Sequence, residues 1–287
     1  MTAEAAAAVC RNCAGSTLHF HLAANGYDLD RCDACGFVQV RDIPDDDTIR
    51  AIYANAYFEK PKYVDDRAAR HEFSRRLNLL KGQGLELSWR VLDYGCAAGD
   101  FVAGIAADCQ AWGVDYSVEA IAKAGLAHPA LADRFSVLSA LPAESRFDAV
   151  VMWDVIEHVP FPAEALAGIA GHLAPGGRLI VSTPNIGAPI AGAMGRRWAF
   201  MTPPEHLGFF NRQSMTVAMD RAGFDIVDWS SKGKLVNLAF LLYKAGRVFP
   251  ALVPTWLWQF FRKSWLSGLC VYVPSGDIQY VVCRKRG

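Results

Sequence analysis

The stretch Val91-Leu92-Asp93-Tyr94-Gly95-Cys96-Ala97-Ala98-Gly99-Asp100-Phe101 decides the fold. Val91 and Leu92 are apolar strand residues, Asp93 stands at the strand's end, and Gly95 and Gly99 bracket a tight turn into a helix. Glycine suits a turn whose backbone must lie against a ligand, because a side chain there would fill the space. The N–H groups at the start of the helix then face that ligand. A second signal lies downstream. Ala111 to Val114 reads as a short apolar strand that ends in Asp115, 22 residues past Asp93. In a nucleotide-binding βαβ unit an acidic residue at about that distance meets the ribose hydroxyls.

The ligand is not a dinucleotide on this reading. Ala97 and Ala98 fill turn positions, and Asp93 and Asp100 place negative charge beside the turn. Carboxylates there repel a pyrophosphate and suit a cationic or zwitterionic ligand. Outward from the turn, strands are predicted at Arg90–Tyr94, Ala111–Asp115, Phe135–Leu138, Phe147–Trp153, Gly177–Ser182, Phe224–Trp229 and Ile278–Cys283. Helices are predicted at Asp100–Asp108, Val118–Gly125, Ala163–His172 and Gln213–Ala222, with a further amphipathic helix over Asp65–Leu80. Such alternation implies an α/β fold, a largely parallel sheet with helices on both faces. Asp93, Asp115 and Asp154 each fall at a strand's carboxyl end, where such sheets bind ligands.

The chain has 287 residues, 52% apolar and 20% charged, enough for a full core plus an appendage. Lys plus Arg equals Asp plus Glu, 29 each, so no global field draws nucleic acid. Arg11, Arg31 and Arg41 are offset locally by Asp28, Asp30 and Asp33. The first residues show no secretory pattern and no apolar run has membrane-spanning length, so a cytoplasmic protein with reduced thiols is the expectation. Cys10, Cys13, Cys32 and Cys35 form two C-x2-C knuckles, the spacing of a tetrahedral structural zinc site. Disulfides are the competing reading and are disfavoured in a reducing compartment. Between the knuckles Leu18, Phe20 and Leu22 alternate with His19 and His21, as in a strand whose histidines face solvent. Cys96 is read as packing.

These motifs resemble class I S-adenosylmethionine-dependent methyltransferases. VLDYGCAAGDF is similar to their first motif, with Ala97 where the usual form has glycine. Arg146 to Pro160 resembles their fourth-strand motif, Leu173 to Asn185 the fifth and Ala222 to Ser230 the sixth. Pro204 to Met215 resembles a substrate-side segment of relatives that modify sugars, quinones and other small molecules, several of which begin with a zinc ribbon. The resemblance implies a Rossmann-like seven-stranded sheet, S-adenosylmethionine as cofactor, structural zinc and a small-molecule acceptor. It divides the chain into a ribbon at 1–42, a helical linker and cofactor lid at 43–88, and a methyltransferase domain at 89–287. Within that domain lie a substrate-side loop at 184–212 and a hydrophobic insertion at 234–275.

For the cofactor it implies Gly95, Ala97 and Gly99 as backbone lining, Asp115 on the ribose, Tyr116 against the adenine, and Asp93 and Asp154 in the cleft. Tyr57 and Tyr63 resemble lid aromatics; packing of ribbon on sheet is the alternative for these tyrosines and is favoured for Tyr53. Residues Ser139–Leu141 occupy the adenine loop without an acidic partner. His206 and His158, each preceded by a glutamate (Glu205 and Glu157), are the base candidates, and His206 is preferred. Segment 234–275 interleaves Trp256, Trp258, Phe260, Phe261 and Trp265 with Lys244, Arg247, Arg262 and Lys263. It reads as a roof over the acceptor, a homodimer face or a peripheral lipid contact. A different class remains open: a ribbon that binds a partner or regulates, on a catalytically degenerate fold.

Overall fold

The N-terminal cysteines frame a three-stranded antiparallel ribbon: β1 (Leu18–Ala24), β2 (Tyr27–Cys32) and β3 (Val38–Val40). Asn25 and Gly26, both at positive φ (48° and 84°), make the tight turn between the first two strands. His19 and His21 face solvent, as expected, with His19 Nε2 2.7 Å from Asp33, but Phe20 is 59% exposed too, because a register shift between Phe20 and Leu22 breaks the alternation. Arg41 pairs with Asp28 and Asp30 at 2.9 and 2.8 Å, which neutralises this surface locally. The computed structural model describes residues 9–45, 48–49, 66–239, 241–242, 246, 254–263 and 269–287. Tyr53, Tyr57 and Tyr63, the expected lid aromatics, lie outside the described residues.

Helix α1 (Asp66–Lys81) leads into β4 (Arg90–Tyr94), and α2 (Asp100–Ile105) into β5 (Gln110–Asp115). Then follow α3 (Val118–Ala127), β6 (Phe135–Val137), β7 (Phe147–Trp153), α4 (Pro162–His172) and β8 (Leu173–Pro184). The last elements are α5 (Pro189–Met194), β9 (Gly208–Phe209), α6 (Arg212–Arg221), β10 (Phe224–Asn237), α7 (Thr255–Lys263) and β11 (Cys270–Lys285). Seven strands form one sheet in the order β10-β11-β8-β7-β4-β5-β6. The pairs β4–β5, β5–β6, β4–β7 and β7–β8 are parallel, and β11 runs antiparallel to both of its neighbours. This is the Rossmann-like sheet expected from the sequence. Its strand order reverses between β4 and β7, and ligands bind at such a reversal, beyond the carboxyl ends.

Period-two alternation explains why both faces are covered. Leu92, Val150, Met152, Leu179 and Val181 belong to one buried cluster with Leu166 and Ile169 of α4 and Met215 and Met219 of α6. Val91, Ala149, Val151, Ile180 and Val282 belong to the opposite one, with Leu80 of α1 and Phe101, Val102 and Ile105 of α2. Each such aliphatic side chain stabilises the fold by roughly 1.5–3 kcal/mol.

Three strands exceed their expected length by six residues or more. β8 begins at Leu173, and β10 and β11 continue as a hairpin past the sheet, with Lys234 opposite Val273 and Asn237 opposite Cys270. The ends of the expected 234–275 insertion are therefore ladder, held by main-chain bonds that hydropathy does not register. Helix α2 stops at Ile105, short of Asp108, whose N–H closes a turn on the Ile105 carbonyl (2.9 Å). In α7, Trp256 and Phe260, one helical turn apart, are 65% and 58% exposed. Among the described residues no helix is long and apolar enough to cross a membrane.

The ribbon sheet has a fourth strand that its own sequence does not supply. β9, from the substrate-side loop, pairs with β3 at Val38–Phe209 and Gln39–Gly208. A third buried cluster fills the joint: Leu29, Val38 and Val40 of the ribbon with Trp198, Met201, Leu207 and Phe209 of the loop.

Candidate functional site

The glycine turn has the backbone its sequence requires. Gly95, Ala97 and Gly99 take positive φ values of 84°, 49° and 79°. A Cβ on Gly95 would stand 2.5 Å from Val155 Cγ2, and one on Gly99 2.6 Å from the Phe135 ring. Ala97 accepts the left-handed conformation with its methyl in place. The turn is tied to the second strand through Asp115: the Ala97 N–H donates to Oδ2 and the Ser117 N–H to Oδ1, both at 2.9 Å. A carboxylate has about four acceptor positions, so hydroxyl donors fit the same group. Next to it, Tyr116 is 58% exposed. Ser139 and Ala140 sit in a single 3-10 turn and Leu141 caps it.

Asp93 is 3% exposed, and its Oδ1 has no hydrogen-bond partner among the described residues. Burial pushes its carboxyl up to about 7; Arg76 opposes the shift and Asp115 adds to it. Asp154 stands at positive φ (56°), its Oδ2 2.8 Å from Arg76 Nη2, while Ser182 Oγ donates to Oδ1 at 3.1 Å. The Arg76 guanidinium lies 5.3 Å from the Trp153 ring centroid. Arg76 also pairs with Glu72 (3.4 Å), which in turn pairs with Arg75 (3.1 Å) and accepts from the Tyr280 hydroxyl (2.5 Å). Glu72, Arg75 and Arg76 thus pin α1 to the tip of β7 and the middle of β11. Sequence reasoning missed all three, since charges spaced i, i+3, i+4 normally mark a solvated helix face. Two adjacent arginines in a helix that also buries Ala68 and Leu80 were the available signal.

The two candidate bases meet. The rings of His158 and His206 pack edge to face, with centroids 4.7 Å apart. Both Nδ1 atoms face carbonyl oxygens, His158 that of Glu205 (2.6 Å) and His206 that of Phe200 (2.8 Å). A carbonyl only accepts, so each Nδ1 carries its proton and each Nε2 is the basic nitrogen in the neutral ring. Glu205 therefore enters the site through its carbonyl. Glu157 is 1% exposed and accepts from Thr183 Oγ1 at 2.8 Å. Ligand atoms of Glu157, His158 and His206 all lie within 4.8 Å of one another, a set able to share a proton or hold a divalent cation. The cysteine Cys96 is buried beneath the turn, and burial pushes its thiol well up, as packing rather than nucleophilic chemistry requires.

In the ribbon the sulfurs of Cys10, Cys13, Cys32 and Cys35 all lie within 4.8 Å of one another. The Cys10–Cys35 and Cys13–Cys32 separations are 3.7 and 3.6 Å. Tetrahedral bonds of about 2.3 Å to zinc set sulfurs about 3.8 Å apart, so the donor set and spacing fit that ion. The Cys10–Cys35 contact pushes the Cys10 thiol up and pulls the Cys35 thiol down.

Residues 62–228 match the family model described as a methyltransferase domain. A ubiquinone biosynthesis O-methyltransferase of Bradyrhizobium sp. is 35% identical over 131 residues, 43% of this chain and 49% of that protein. One from Xylella fastidiosa is 28% identical over 182 residues, 56% of this chain and 74% of its own. The chain spans about half the length of the first curated relatives it matches. Among solved structures, the N-methyltransferase NodS of Bradyrhizobium japonicum with S-adenosyl-L-homocysteine superposes with TM-score 0.52 at 17% identity, covering 84% of this chain and 98% of NodS. That likeness concerns the fold. With the seven-stranded sheet and with the model match over more than half its length, the chain belongs to the methyltransferase-domain family.

Proposed function

We propose that the chain transfers a methyl group from S-adenosylmethionine to a small-molecule acceptor: a sugar, a quinone-like phenol or a lipid-linked metabolite. One observation carries this reading. Asp115 closes the left-handed turn of Gly95, Ala97 and Gly99 at the carboxyl tips of the first two parallel strands, the end at which such sheets bind ligands. When bound, the cofactor supplies a methyl group on a cationic sulfur. Asp115 would accept from the ribose hydroxyls, and Tyr116 would cover the adenine. Asp93 offers a buried negative charge toward the cationic part, with its unpartnered oxygen as support. Arg76 holds Asp154 in place between β7 and α1.

On the acceptor side His206 Nε2 would take the proton that the acceptor oxygen or carbon loses on methylation, the pair of the broken methyl–sulfur bond staying on a sulfur left neutral, and His158 would fix the ring from its edge. The proton then passes to solvent, so charge balances over the cycle. The ubiquinone biosynthesis O-methyltransferases among the relatives support an oxygen acceptor. Zn2+ held by the four cysteines is structural, since four thiolates close a tetrahedral shell. From Ser230 to Gly276 the sequence has no Asp or Glu, against Lys232, Lys234, Lys244, Arg247, Arg262 and Lys263. With the exposed Trp256 and Phe260, this favours an acceptor met at an anionic lipid surface. The test is incubation of the zinc-loaded protein with methyl-labelled donor and fractionated cell metabolites. A labelled product names the acceptor; no label in any fraction, from protein that binds the donor, refutes methyl transfer.

A further inference from the structure

We infer that the four-cysteine ribbon is the mechanical backing of the acceptor wall, residues 200–211, and that it sets the position of His206 against His158. The inference rests on the methyl-transfer reading for its functional meaning, but its structural part stands separately. Four contacts run from the cysteine knuckles themselves. Arg11, between Cys10 and Cys13, donates from Nη2 to the Leu207 carbonyl (3.2 Å). Its neighbour Asn12, fully buried, donates from Nδ2 to the Ser214 carbonyl (2.9 Å) and touches Cys35 Sγ at 3.7 Å. In the second knuckle the Gly36 carbonyl accepts from Asn211 Nδ2 (3.1 Å) and the Ala34 carbonyl from Gln213 Nε2 (3.1 Å). Gly36 has no room for a side chain, because a Cβ would stand 2.7 Å from that Asn211 nitrogen.

The ribbon strands continue the connection. Val40 N–H donates to the Leu207 carbonyl (3.0 Å), β9 completes the ribbon sheet, and the Phe37 ring lies 4.7 Å from Phe210. Beyond Leu207 the path reaches the histidines. The Leu207 N–H donates to the Glu157 carbonyl (2.8 Å), and the Glu205 carbonyl accepts from His158 (2.6 Å). A two-residue strand has little stability of its own, so its place depends on the sheet it joins. Holding four thiolates together in turn needs the cation, whose binding energy is folding energy for the ribbon. Arg11, Asn12 and Gly36 are accordingly positioning residues.

The test is hydrogen exchange by mass spectrometry on the full chain, with and without Zn2+ removal by a chelator, alongside calorimetric binding of S-adenosylmethionine. Loss of the ion is expected to cut protection of peptides covering 205–210 by roughly tenfold or more, while peptides covering 91–99 and donor affinity change less than about twofold. Asn12→Ala separates the link from the ion. It is expected to keep its zinc, lose protection at 205–214, and raise the acceptor KM several-fold with donor affinity unchanged. Unaltered protection at 205–210 after verified zinc loss overturns the inference. Should the chelated protein unfold throughout, Asn12→Ala decides, and unaltered protection there overturns it equally. Failure to bind donor at all would instead defeat the methyl-transfer reading while leaving the exchange result to stand.

Discussion

His158 and His206, 48 residues apart in sequence, present edge and face to each other at 4.7 Å, each anchored by Nδ1 to a carbonyl of the same loop. One residue comes from the tip of the fourth parallel strand and the other from the wall opposite. The pair therefore forms only when strand and loop are both in place.

Replacing His206 by alanine is expected to lower kcat about 100-fold or more, the range for loss of a positioned general base, with donor affinity unchanged. His158→Ala should cost less, because that ring acts through its neighbour. Steady-state kinetics with calorimetry on both variants checks this. Equal turnover in wild type and both variants removes the histidines from the chemistry.

Asp93 sets a pH dependence whose sign is fixed. Its folded value, about 7, lies above the ordinary carboxylate value of 3.8. The native state thus binds a proton that the unfolded chain has already released. The free protein should lose stability as pH rises from about 4 to about 7 and change no further through this group. A cationic donor favours the ionised form, so its affinity should strengthen as pH rises through about 7. Asp93→Asn is expected to flatten both profiles. Thermal melts and donor titrations from pH 5 to 8.5 measure them, and a wild-type affinity independent of pH would contradict the assignment.

Ala97 carries a methyl in the left-handed region at φ 49°. For an L-residue that conformation costs about 1 kcal/mol relative to glycine. Ala97→Gly should raise stability modestly and leave donor binding within about threefold, because the Asp115 contact uses the backbone N–H. Denaturant unfolding gives the sign; a clear loss of stability would mean that the methyl packs favourably.

Vesicles of anionic phospholipid should pellet the protein at low salt and release it as ionic strength rises, since six cations without an acid between Ser230 and Gly276 attract such a surface. Trp256→Ser with Phe260→Ser should weaken sedimentation several-fold. Protein left in the supernatant at every salt concentration sinks the lipid-surface part of the proposal.

Much of this architecture was legible in the chain. The central strands Arg90–Tyr94 and Phe147–Trp153 are short apolar runs bounded by turns, and their observed bounds coincide with the sequence reading. The cysteine spacing placed four sulfurs together because each knuckle is a local turn. Contacts set by distant partners were hidden. Gly208–Phe209 is too short to show any period, and its strand character comes from Val38 and Gln39, some 170 positions away. Glu72 and Arg76 look like surface charge until Tyr280 and Asp154 cover them. Asp154 itself reads as a cleft carboxylate, yet its two oxygens meet Arg76 and Ser182.

The most direct test is calorimetric titration of the zinc-loaded protein with S-adenosylmethionine and S-adenosylhomocysteine, in wild type and in Asp115→Ala. Loss of a carboxylate with ionic hydrogen bonds costs about 1.5–3 kcal/mol per bond. Wild type should bind both ligands, and Asp115→Ala should bind at least about tenfold more weakly while its melting curve stays cooperative. No heat from wild type, or equal affinity in the two proteins, would contradict a nucleoside seated across the tips of β4 and β5.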